Sequence, residues 1–60
     1  MKYKTGDIFA AIDTSLIMLV VDEINTWLGH LYIVIFGDNL KSIGISIIEI
    51  NTYFYKVGEL

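Results

Sequence analysis

Apolar residues come in unbroken blocks along this chain. Leu16 to Val21 and Leu31 to Phe36 are runs of six apolar residues each. Isoleucine and valine dominate these blocks, and β-branched side chains fit a pleated surface better than a helix. Turn-forming clusters separate them: Asp13-Thr14-Ser15, Ile24-Asn25-Thr26 and Gly37-Asp38-Asn39. The pattern predicts four main strands, over about Asp7 to Ile12, Leu16 to Glu23, Trp27 to Phe36 and Ser42 to Ile50. Asn51-Thr52 then breaks the pattern. Tyr53 to Lys56 is expected to make a short 3-10 turn before a closing strand at Val57. A helix over Leu16 to Leu31 is the alternative, but its apolar residues hold no i, i+3, i+4 stripe.

Successive strand residues point to opposite faces. In the second strand Leu16, Met18 and Val20 oppose Ile17, Leu19 and Val21. In the third, Leu31, Ile33 and Ile35 oppose Tyr32, Val34 and Phe36. Both faces are apolar, as in strands covered on both sides. No predicted helix is long enough to cover the second face. The expectation is that either Ile33 and Ile35, or else Tyr32, Val34 and Phe36, meet another copy of the chain.

Sixty residues make one small domain spanning residues 1–60. A chain this short buries only about 60% of the surface it exposes unfolded. It contains no cysteine, so neither a disulfide nor a thiolate metal site can staple it. Oligomerisation is the remaining route to stability. With 55% of its residues apolar, a monomer of this size is expected to leave an exposed patch.

The ends of the chain, Lys4-Thr5-Gly6-Asp7-Ile8-Phe9 and Tyr55-Lys56-Val57-Gly58-Glu59-Leu60, resemble those of small SH3-like barrels from phages and plasmids. The resemblance covers the two termini only. It implies an all-β fold, a five-stranded antiparallel SH3-like barrel, and a phage or mobile-element origin. It carries no activity, because fold does not fix function. The loop after the first strand is too short for the acidic groove of a peptide-binding SH3 domain.

Net charge is −3, and arginine is absent. The four lysines form no cluster of the kind that displaces counterions from nucleic acid, so a nucleic-acid partner is not expected. No apolar stretch reaches the roughly 20 residues of a spanning helix. The N-terminus lacks the apolar core of a signal peptide. A cytoplasmic protein, in the host cytoplasm if phage-encoded, is expected.

Little here resembles catalytic machinery. His30 is the sole histidine, and no serine or carboxylate is spaced to make a pair with it. Asp22 and Glu23 are neighbours that face apart on a strand. Asp38 reads as a turn residue, without the alternating ligands of a calcium loop. No cofactor or metal is expected. The aromatic residues are more informative. Trp27, Tyr32, Tyr53 and Tyr55, with His30 and Lys56, are candidate binding residues. The leading expectation is a non-catalytic, homo-oligomeric protein that inhibits a host protein by binding it. The alternative is a sponge for a nucleotide signal, with pockets between subunits. A single-stranded nucleic-acid binder comes third, favoured by the aromatics and opposed by the charge.

Overall fold

The computed structural model describes residues 3–60. Met1 and Lys2, the start of the polar leader, lie outside the described residues. Asp7–Ala11 forms β1, Ile17–Thr26 β2, Gly29–Phe36 β3 and Ser42–Ile45 β4. A helix α1, Ile47–Tyr53, precedes β5, Phe54–Glu59. All five strands join one antiparallel sheet in the order β4-β3-β2-β1-β5. The expected mostly-β fold with five antiparallel strands is present. The sheet is not closed: β4 and β5 are its edges.

Strand register explains the core. Phe9 lies opposite Met18, Val20 opposite Val34, and Tyr32 opposite Ile45. Directly opposed residues share a face. These six therefore gather on one side of the sheet, and Ile50 of α1 packs among them. Tyr3, Phe36, Ile47 and Phe54 pack around that cluster. The helix thus covers the inner side and leaves the outer side of the sheet bare.

The fourth strand is shorter than the pattern predicts, ending at Ile45. The Ser46 hydroxyl accepts a hydrogen bond from the Glu49 amide at 3.2 Å, and the Glu49 carboxylate accepts one from the Ser46 amide at 3.0 Å. This reciprocal capping box starts a helix in place of the last five residues expected in the strand, 46–50. Its signal, Ser-x-x-Glu, is present at Ser46 and Glu49, but the isoleucines around it outweigh it in a reading by β-propensity. The expected 3-10 turn is replaced too. Tyr53 ends α1, and the chain is already strand at Phe54. The Phe54 amide closes the helix on the Ile50 carbonyl.

The hairpin between β2 and β3 also differs. Ile24, Asn25 and Thr26 were expected to turn, yet they stay in β2, opposite Leu31, His30 and Gly29. The turn is Trp27-Leu28. Thr26 fixes it: its hydroxyl donates to the Gly29 carbonyl at 2.8 Å and accepts from the Leu28 amide at 3.2 Å. Gly29 absorbs the positive φ of 126°. A register shift between Val20 and Asp22 inserts an extra residue into β2. Beyond that bulge, Ile24 rather than Glu23 shares the outer face with Ile33.

A chain of this size is stable by roughly 3–9 kcal/mol, so single caps matter. Ser46→Ala is expected to cost about 1 kcal/mol. Urea denaturation followed by circular dichroism would show it as a lower midpoint. An unchanged midpoint would mean that packing of Ile50 alone holds the helix.

Candidate interaction site

The structure sorts the two apolar faces. Val34 is fully buried and Phe36 packs against the core, so both serve the chain's own interior. Ile33 and Ile35 lie on the outer face, half-buried. Register places Leu19 opposite both Ile8 and Ile35, and Leu31 opposite Ile24. With Ile17 and Val21, these residues make an apolar outer surface, broken by Asp22 opposite Ile33. No other element lies on it among the described residues.

The candidate binding residues do not converge. Tyr32 is completely buried and unavailable to a ligand. Its ring meets Tyr3 and His30 edge to face, at centroid distances of 5.9 and 4.9 Å. Its hydroxyl accepts the Tyr3 amide at 3.3 Å. His30 lies opposite Asn25 in the hairpin, and its Nδ1 is 2.8 Å from the Asn25 side-chain oxygen. Its Nε2 is 3.6 Å from a Glu23 oxygen. These contacts make His30 part of a cross-strand polar clasp. Tyr53 ends the helix and Tyr55 lies opposite Ala10 on β5; both are exposed. Phe54 packs 6.1 Å from Phe36, at the core margin.

Trp27 is elsewhere, at the hairpin tip, 93% exposed, with Leu28 beside it at 76%. β1 pairs with β2 only over Ile17 to Leu19, and β4 pairs with β3 only over Tyr32 to Ile35. The far half of the β2–β3 hairpin therefore projects as a two-stranded ribbon with an aromatic-aliphatic tip. At its base Asp22, opposite Ile33, lies on the outer face and Glu23, opposite Tyr32, on the inner one. Sequence reasoning missed Leu28, which it placed inside a strand. At the other end of these strands lies an open depression of about 640 Å³, lined by Thr14, Ser15, Leu16, Ile17, Gly37 and Asp38. None of the candidate binding residues lines it. Among the described residues no group of three histidine, cysteine or acidic side chains could hold a metal ion.

Lys56 belongs to a charge cluster at the end of β5. Its ammonium lies 3.3 Å from the fully buried Asp7 carboxylate and 3.4 Å from Glu59. Lys4 pairs with the same Glu59 at 3.1 Å, and the Lys4 amide donates to Asp7 at 3.0 Å. Burial works against the Lys56 charge, but bonding and attraction from Asp7, then Glu59, outweigh it and raise its pKa. The Lys4 hydrogen bond and charge, followed by those of Lys56, lower the pKa of Glu59. This cluster ties the N-terminal leader to the last strand.

A lowered carboxylate pKa stabilises the fold above the unfolded value and is lost as pH falls through the folded one. A raised lysine pKa stabilises below the unfolded value and is lost as pH rises through the folded one. The Glu59 contribution is therefore expected to fade as pH falls below the ordinary glutamate value of 4.5. The Lys56 contribution should fade above 10.5. Melting temperatures across pH would show the acid limb becoming shallower in Glu59→Gln. An identical acid limb in that variant would show that Glu59 adds nothing.

No protein-family model, no curated protein and no solved structure matches this chain.

Proposed function

We propose that the chain is a non-catalytic binding protein that self-associates and engages a protein partner through the β2–β3 hairpin tip. The observation that carries this reading is the exposure of Trp27 and Leu28 on a turn fixed by Thr26. Tryptophan is enriched at binding hot spots, and a turn whose backbone is already fixed loses less entropy on docking than a mobile loop. A folded chain that served only itself would gain nothing by holding an indole in water. Self-association is supported by the bare outer face, where Ile33 and Ile35 meet no other layer. An inhibitor carried by a phage or other mobile element, acting in its host's cytoplasm, fits this small acidic chain.

The fold reading that accompanies it is a small SH3-like barrel left partly open. Strand order and the short helix before β5 support that reading. A nucleotide sponge finds less support, because Trp27, His30, Tyr53, Tyr55 and Lys56 are dispersed over the molecule.

Trp27 is the only tryptophan, so its fluorescence reports the tip alone. Trp27→Ala and Leu28→Ser are expected to change stability by less than about 0.5 kcal/mol, as for exposed sites. A protein retained from bacterial lysate by the wild-type chain would then be purified and titrated. Binding is expected to shift the Trp27 emission to the blue and to weaken at least about tenfold in Trp27→Ala, the loss of a hot spot. Equal affinity of wild type and variant would remove the tip from the reading. If the outer face carries the association, Ile33→Lys lowers the sedimenting mass while leaving the circular dichroism spectrum intact; an unchanged mass moves the contact elsewhere.

A further inference from the structure

The two edges of the sheet are unlike. β5 carries Lys56 and Glu59, and a register shift between Ile8 and Phe9 disrupts its pairing with β1. Charged side chains and bulges are how natural edge strands avoid pairing with other chains. β4, Ser42-Ile43-Gly44-Ile45, is guarded only by its shortness. It contains no charge, no proline and no bulge, and alternate backbone groups along it face away from β3. Ile43 shares the inner face with Val34 yet is 45% exposed, because no strand lies on its far side. Just before β4, Leu40 is 72% exposed at a φ of 58°, a left-handed conformation that a leucine rarely adopts.

We infer that β4 pairs antiparallel with β4 of a second copy, joining two sheets edge to edge in a closed two-fold dimer. This inference rests on the reading that the chain self-associates, and it places that association at the edge. A second copy is the occupant for three reasons. An antiparallel edge is complementary to itself under a two-fold axis, and such a contact closes after two copies. The guarded β5 edge blocks the head-to-tail alternative that would build a filament. Charge also fits. With the axis perpendicular to the sheet, Ile43 lies opposite Ile43 or Ile45 of the other copy, a favourable β-branched pair. Lys41, whose ammonium has no ion pair among the described residues, then runs toward the end of the other β4. The first turn of α1 follows there, with Glu49 in it. A four-residue edge buries little area, which places the dimer among weak interfaces, below about 1,200 Å².

Sedimentation velocity from low micromolar to millimolar chain, at low salt, tests this. The wild type is expected to pass from monomer to dimer across that range. Ile43→Lys should raise the dissociation constant at least tenfold with the melting temperature preserved. If Ile43→Lys does not fold, Ile43→Thr, which keeps the β-branch, should give a smaller rise. Lys41→Glu should also weaken the dimer, and added salt should reduce the difference between it and the wild type. A dimer lost in Ile33→Lys but untouched by Ile43→Lys and Lys41→Glu would overturn the edge and leave self-association through the outer face. A wild type that stays monomeric to millimolar concentration would overturn both.

Discussion

Burial of the Tyr32 ring organises this small molecule. Tyr32 sits in the middle of β3, at the centre of the one face the chain can cover. Its ring packs against Tyr3 from the leader and His30 from the hairpin. Its hydroxyl satisfies the Tyr3 amide, and the Tyr3 hydroxyl donates to Asn51 in α1. Leader, sheet and helix are thereby fastened through one aromatic pair. A phenolic oxygen buried without a partner would cost about 1–3 kcal/mol, a large share of what a chain this small holds in reserve. The hydrogen bond to Tyr3 removes that cost while it pins the leader across the core.

Having closed one face, the chain has nothing left for the other. α1 supplies one buried residue, Ile50, and spends its length over the inner side. The outer face therefore remains apolar and uncovered. This follows from length more than from any single residue: sixty residues yield five strands and two turns of helix, and a second layer would need more chain. The bulge in β2 adds to it by rotating Ile24 outward and Glu23 inward, where Glu23 meets His30. On the inner side His30 thus meets Asn25 and Glu23, while Ile24 faces water.

The sequence makes much of this legible. Alternation in Leu16 to Val21 and Leu31 to Phe36 marks the central strands and their two apolar sides. It cannot say which side is inner, since both sides carry similar side chains. The aromatic Tyr32 decides for Val34 and against Ile33, through partners in Tyr3 and α1 that lie far away along the chain. Gly37-Asp38-Asn39 reads as a turn and is one. Trp27-Leu28 does not read as a turn, because neither residue favours one; Thr26 and Gly29 on either side make it. The helix was hidden for a similar reason. Ile47, Ile48 and Ile50 have strong strand propensity, and two side-chain hydrogen bonds from Ser46 and Glu49 override it. Among the candidate binding residues, aromatic character pointed correctly to large apolar area. It could not separate Tyr32, which holds the fold, from Trp27, which does not touch it.

That separation bears on how the molecule would work. Groups that serve stability are knotted together: Asp7 with Lys56, Lys4 with Glu59, Tyr3 with Tyr32 and Asn51. They concentrate where leader, β1, α1 and β5 meet. The hairpin tip and the β4 edge lie on the other half of the sheet, on β2, β3 and β4, and their exposed side chains have no such obligations. Substitution there can change binding without first unfolding the chain. Association at either place would in turn stabilise the fold, since anything bound only to the native state draws the equilibrium toward it. For a domain of marginal stability, binding and folding then become linked quantities. The concentration of a partner, or of the chain itself, would set how much of it is folded as well as how much is engaged.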